Sequence, residues 1–190
     1  LTDLLGKQFR FDHGHAMLMK KGGEALALHG GGAPKEPGIR YEVADGQIRS
    51  ELLVVEYALC DVAEGDGGLC VVPGSHKSNF ACPSSLASLE KPGAWLRNVP
   101  QKAGSVVIFT EALTHGTLPW TADHERRALF YRYTPGYMAF VGRYREDGLE
   151  ASDGGYPQPS HSEEGDWSPE ERRILEAPYF WQRDDTFPES

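Results

Sequence analysis

The sequence predicts a mainly β protein, a sandwich or barrel of short strands, from three observations. The first is 22 glycines and 13 prolines in 190 residues, far too many breakers for a helical bundle but well suited to tight turns between strands. The second is Glu51 to Asp61, the longest strand pattern, in which Leu52, Val54, Glu56 and Ala58 alternate with Leu53, Val55, Tyr57 and Leu59. Both faces are mainly apolar, which predicts a central strand covered on two sides. The third is the run after the Gly104 turn, where Val106 to Phe109 reads as a buried strand and a second strand opens at Arg126-Arg127.

Composition narrows the function classes. A chain of 190 residues forms one domain that buries roughly 70% of its unfolded surface. The net charge of −9 argues against a nucleic-acid partner, which needs a basic face. No run approaches the roughly 20 apolar residues of a membrane span. The N-terminus has neither a charged leader with an apolar core nor a cleavage-like site, and no initiator Met, so the chain reads as a processed or partial version of something longer. Cys60, Cys70 and Cys82 are an odd number without CxxC spacing, which reads as free thiols in a reducing compartment. The expectation is a cytoplasmic protein that acts on a small molecule.

The elements follow in order. Residues 1–12 form a short amphipathic lead-in, His13 to Met19 a strand, and Glu24 to His29 an extended segment ended by Gly30-Gly31-Gly32. Asp45-Gly46 marks a turn, Leu69 to Val72 pairs back after Asp66-Gly67-Gly68, and Pro73-Gly74-Ser75-His76 leaves the sheet in a helical turn. Ser84 to Glu90 reads as a short helix and Gly142 to Asp166 as a long surface loop. Ser168-Pro169-Glu170-Glu171 is a capping box with proline at the first helical position, and the tail Tyr179-Phe180-Trp181 packs back on the domain.

Seven histidines compete for a functional role. His124 and His161 lie in polar loops and read as exposed, and His76 closes a turn. His13 and His15 share one strand face, a spacing that suits a cupin metal site, but Pro73-Gly74-Ser75-His76 is too compact for the second cupin motif. His29 and His115 remain. Each lies at a strand end beside glycines, where a metal or small ligand can approach. Imidazole suits Fe(II), and two His with one carboxylate leave positions open for cosubstrate and oxygen. Thr117 and Arg126 follow His115 at offsets that could hold a dicarboxylate.

Four segments, in order and with compatible spacing, resemble the phytanoyl-CoA dioxygenase-like branch of the Fe(II)/2-oxoglutarate-dependent oxygenases. They are His15 to Lys21; Tyr57 to Asp61 with Gly67 to Lys77; Ala103 to Phe109; and His115-Gly116-Thr117 with Arg126 to Leu129. The resemblance implies a double-stranded β-helix, a jelly-roll barrel, with core 13–134, the loop and helix of 142–190 as appendage, and the usual N-terminal helical region missing. It implies Fe(II) on His29 and His115, and 2-oxoglutarate as cosubstrate with Arg126 clamping its distal carboxylate. Thr117 assists at the same carboxylate, and Tyr57 lines the cosubstrate pocket. Arg127 is the rival for Arg126, since adjacent strand residues face opposite ways; the eleven-residue offset from His115 favours Arg126.

The chain departs from the pattern at one place. The family motif is His-x-Asp, and here it reads His29-Gly30-Gly31. The missing carboxylate could come from Glu111, Glu51, Glu56 or Asp45, with Glu111 sharing strand parity with His115. Alternatively water fills the place, chloride fills it as in the related halogenases, or the site binds nothing. The implied reaction is oxidation of a small organic substrate by O2, a hydroxylation, with release of succinate and CO2. The alternatives are chlorination at the Gly31 position and a non-catalytic cupin-like binding barrel.

Overall fold

The structure, a computed structural model, describes residues 1–31, 38–89, 93–140, 165–175 and 178, with the backbone alone of 143–145 and 148–150. The strands are β1 (Arg10–Met19), β2 (Leu26–His29), β3 (Tyr41–Ala44), β4 (Gln47–Ser50), β5 (Leu53–Ala58), β6 (Gly68–Val71), β7 (Arg97–Asn98), β8 (Val106–Thr110), β9 (His115–Leu118), β10 (Arg126–Thr134), β11 (Arg143–Arg145) and β12 (Gly148–Glu150). Among the described residues three short α-helices accompany them, α1 (Thr2–Leu5), α2 (Ser84–Ala87) and α3 (Pro169–Leu175), and a 3-10 turn spans Ser75–Lys77 where a helical turn was expected. No helix among the described residues is long and apolar enough to cross a membrane.

Two four-stranded antiparallel sheets build the barrel, one in the order β1-β10-β5-β8 and the other β2-β9-β6-β7. Val54, Ala128, Phe130 and Phe109 from the first sheet meet Leu69 from the second, forming the core between them. This is the jelly-roll arrangement expected from the sequence. A second cluster, Leu28, Cys70, Leu89 and Leu96, packs α2 and its loop onto the second sheet. The three cysteines are free thiols, as their spacing suggested.

β5 is central, with Leu52 to Glu56 all buried, because it has β10 on one side and β8 on the other. β8 departs from its expected burial. It is an edge strand of its sheet, and Val106 and Ile108 are 47% and 49% exposed whereas Phe109 is 8% exposed. A β-branched apolar run does not reveal whether one face or two will be covered. The predicted Asp45-Gly46 turn joins β3 to β4, with positive φ at both residues as a tight hairpin turn requires.

The Ser168 capping box is made in full: the Ser168 amide donates to Glu171 Oε2 at 2.8 Å and the Glu171 amide to Ser168 Oγ at 3.2 Å. Helix α2 ends at Ala87, earlier than Glu90. The segment read as a loop from Gly142 carries the β11–β12 hairpin, while 151–164 and the Tyr179-Phe180-Trp181 tail lie outside the described residues.

β1 begins at Arg10, three residues before the expected strand, and carries a buried ionic knot. Arg10 Nη1 donates to Asp12 Oδ2 at 3.0 Å, His13 Nδ1 lies 2.7 Å from Asp12 Oδ1, and the Phe140 amide donates to Oδ2 at 2.9 Å. Burial pushes the Asp12 carboxyl up, but the His13 hydrogen bond, the Phe140 amide and the Arg10 charge outweigh it and hold it below its ordinary value. A carboxyl depressed in the folded state stabilises fully above its unfolded value and loses that contribution as pH falls through the folded one. Acid unfolding below about pH 4 is therefore expected to draw on Asp12. Asp12→Asn should cost on the order of 3 kcal/mol at neutral pH and flatten the stability profile in that acid window, as measured by denaturant titration.

Candidate metal centre

The antiparallel pairing of β2 with β9 sets His29 directly opposite His115. β2 ends at His29 and β9 begins at His115, so both imidazoles stand at one rim of the second sheet, their ring centroids 4.2 Å apart. The turn 111–114 links β8 to β9 across this rim. The Glu111 amide extends the ladder of the first sheet by one bond, donating to the Leu52 carbonyl at 2.9 Å. The turn is tied to β6 by Val72 N to Thr114 O at 2.9 Å and to Ser75 by Thr114 N to Ser75 Oγ at 2.7 Å. Glu111 thereby faces the two imidazoles.

His29, Glu111 and His115 form one group whose ligand atoms all lie within 4.8 Å of one another. Glu111 Oε1 is 3.6 Å from His115 Nε2 and 4.0 Å from His29 Nε2. The tautomers follow from the other ring nitrogens. His115 Nδ1 sits 2.7 Å from the Leu113 carbonyl and His29 Nδ1 sits 3.0 Å from the Ala27 carbonyl. A carbonyl only accepts, so each Nδ1 carries a proton, and each Nε2, on the Glu111 side, is the ring atom available to a metal. Burial pushes the His115 imidazole below its ordinary value, with the Glu111 charge opposing, which favours the neutral ligating form. Two imidazoles with backbone-anchored Nδ1 and one carboxylate are a donor set that fits Fe(II).

The other carboxylates named as candidates lie elsewhere. Glu51 Oε2 accepts from the Gly38 and Arg40 amides at 2.8 and 3.0 Å, Asp45 sits at the β3–β4 turn near Arg49, and Glu56 is buried against Arg126. Glu111 does not reach the histidines by strand parity, because β8 stops at Thr110; the turn brings it there. The described residues around Gly31 also leave no room for a side chain there. A Cβ there would meet the Ala112 carbonyl oxygen at 2.5 Å and Thr114 Oγ1 at 2.8 Å, and its φ is +66°. Gly31→Asp is therefore expected to destabilise the chain by at least about 2 kcal/mol without restoring a His-x-Asp ligand, as read by thermal unfolding without metal.

Arg126, Ala128, Phe130 and Arg132 share the inner face of β10, while Arg127 is exposed and pairs with Glu125 at 2.8 Å. The expected inward orientation of Arg126 holds. Its surroundings were not expected: Arg126 Nη2 donates to Glu56 Oε1 at 2.7 Å, with both side chains 1% exposed. Its Nη1 faces the sulfurs of Met17 and Met19 at 2.9 and 3.5 Å. Gly68 lets the guanidinium approach, since a Cβ there would stand 3.0 Å from Nε. Burial pushes Glu56 above its ordinary value against the opposing Arg126 charge. Arg126 Nε is buried without a hydrogen-bond partner, and the Gln101 side chain stands beside the Glu56 carboxyl, so the guanidinium retains donor capacity for an anionic ligand. Thr117 stands opposite Leu69, a member of the core between the sheets, and so faces the interior with His115.

Tyr57 is a correction. It alternates with inward Glu56 and points to the other face of the sheet, where its ring lies 5.5 Å from Tyr131 in a cluster with Phe11 and Tyr133. It stands on the face of the sheet opposite Arg126. The HxH pair also separates from metal binding: His13 pairs with Asp12, and His15 Nδ1 lies 3.1 Å from Arg132 Nη1. Glu56, named as a candidate metal ligand, is instead the partner of Arg126, and Arg132 was not foreseen, although alternation from Arg126 along β10 turns it inward.

The phytanoyl-CoA dioxygenase family pattern matches residues 29–128, and the chain belongs to that family. Among solved structures, HygX from Streptomyces hygroscopicus with nickel and 2-oxoglutarate bound is similar, at 26% identity and TM-score 0.66, over 76% of this chain and 64% of HygX. HygX with iron bound aligns at 25% identity and TM-score 0.63, over the same shares of the two chains. The non-heme monooxygenase ThoJ, at 18% identity and TM-score 0.55 over 75% of this chain and 53% of ThoJ, shares the fold. The chain thus spans less than two thirds of the HygX length. A comparison with curated protein sequences finds no match.

Proposed function

We propose that this chain is an Fe(II)- and 2-oxoglutarate-dependent oxygenase that hydroxylates a small organic molecule, releasing succinate and CO2. The observation that carries it is the convergence of His29 Nε2, His115 Nε2 and Glu111 Oε1 on one point, with both imidazole protons committed to backbone carbonyls. The similarity to HygX with nickel and 2-oxoglutarate bound supports the same reading.

His29 and His115, through their Nε2 atoms, and Glu111, through its carboxylate, would hold the metal. Arg126 binds the distal carboxylate of 2-oxoglutarate through the donors Glu56 leaves available, Nε among them, and Thr117 supplies a hydroxyl on the same interior face. The bound iron and 2-oxoglutarate together supply the oxidising chemistry. The apolar walls, Leu69, Phe109 and Phe130, exclude water from the space between the sheets, which strengthens the Arg126 contact to a carboxylate. Oxygenation is favoured over chlorination because Glu111 supplies the carboxylate that His29-Gly30-Gly31 lacks, and the space beside Gly31 is filled by the turn.

The test is anaerobic reconstitution with Fe(II) and 2-oxoglutarate, followed by oxygen with and without chloride. Succinate formation that requires iron is expected, and it should not depend on chloride. Succinate absent under all conditions, with iron bound, would favour the non-catalytic barrel.

A further inference from the structure

We propose that Arg132 is a positioning residue for the carboxylate of the metal centre and that His15 holds Arg132 in place; this rests on the metal-binding reading above. Glu111 sits on a turn, not in a strand, and its side chain has one more rotatable bond than aspartate. Something must fix which oxygen faces the imidazoles.

The two oxygens divide their roles. Oε1 lies 3.6 Å from His115 Nε2 and 4.0 Å from His29 Nε2, while Oε2 lies 3.7 Å from Arg132 Nε. Glu111 Oε2 is buried and accepts no direct hydrogen bond, so the Arg132 guanidinium is the charge that faces it. Arg132 faces inward on β10, opposite Val54 of the interior core. Its Nη1 lies 3.1 Å from His15 Nδ1, and since arginine has no acceptor, His15 accepts. Burial and the Arg132 charge push the His15 imidazole below its ordinary value, which favours the accepting form. The His15 ring stacks on Phe130 at 5.2 Å and 12°, and Phe130 belongs to the core. A line of contacts therefore runs from the packed interior through His15 and Arg132 to Glu111. Its chemical consequence is a carboxylate that offers the metal one oxygen rather than two, leaving coordination places open for cosubstrate and oxygen.

The test is Co(II) titration of the metal-free 190-residue chain against a competing chelator, with the visible absorption of the bound cobalt as a second readout. Arg132→Met is expected to weaken cobalt binding about ten- to a hundredfold and to change the cobalt spectrum. Arg132→Lys should recover part of the affinity, since it keeps the charge without the fork. His15→Phe, which retains the stacked ring and removes the acceptor, should shift affinity the same way by a smaller factor. In a Glu111→Gln background Arg132→Met should add little. A purely structural role would lower the thermal stability of the metal-free chain and leave affinity and spectrum unmoved. Unchanged cobalt affinity in Arg132→Met overturns the inference; if that variant fails to fold, unchanged affinity in both Arg132→Lys and His15→Phe does so. No cobalt binding by the wild-type chain overturns the metal reading, and the inference with it.

Discussion

Glu111→Ala is expected to lower metal affinity by on the order of a hundredfold or more, beyond the ten- to hundredfold that an outer partner of a ligand is worth. Iron-dependent succinate formation should fall in parallel. The fold should survive, because the Glu111 backbone bond to Leu52 does not involve the side chain and Arg132 keeps His15. Circular dichroism of the metal-free variant, alongside a cobalt or nickel titration, separates the two effects. Glu51→Ala, on a carboxylate that caps the Gly38 and Arg40 amides, should leave metal affinity unchanged. Equal affinities in the wild-type chain and Glu111→Ala would remove Glu111 from the centre.

The second large effect concerns Arg126, and the buried partner complicates it. Arg126→Met alone leaves the Glu56 carboxylate buried without its counter-charge, which costs about 3–5 kcal/mol. In a chain of this size that lowers the melting temperature by roughly 10 °C. Loss of cosubstrate binding in that variant would then be ambiguous. The double variant Arg126→Met with Glu56→Met removes both charges, and a buried pair replaced by apolar groups of similar size is often neutral or stabilising. The double variant is expected to regain most of the lost melting temperature while failing to bind 2-oxoglutarate when loaded with nickel, as followed by calorimetry. Full 2-oxoglutarate affinity in the double variant would sink the clamp assignment, whereas poor folding in both would point to the pair as structural.

The two arguments share a feature of the sequence reading. Local pattern made some placements legible: β5 as a central strand, His29 and His115 at strand ends, and one of Arg126 and Arg127 inward, the offset from His115 favouring Arg126. Alternation also exposes the Tyr57 error, since a position beside inward Glu56 must point outward. Contacts between chain-distant side chains were not legible. Nothing in the local pattern around Glu56 indicates that it meets Arg126, because the pairing of β5 with β10 brings together positions 70 residues apart. Edge position was equally hidden, as Val106 and Ile108 show, because coverage of a strand depends on what packs over it.

What the sequence by itself determined is the sheet-forming character of the chain, its turns and caps, and the pair of histidines at strand ends with a following arginine. These are local properties, set by alternation, glycine, proline and capping chemistry. The tertiary structure alone decided which carboxylate joins the histidines, since Glu111 arrives through a turn clasped against Ser75 and Val72 and packed on Gly30 and Gly31. It also decided that Arg126 comes already partnered and that Arg132 faces the same carboxylate. The physical reason is that these depend on packing two sheets face to face, where the neighbour of a side chain is set by distance across the barrel and not along the chain.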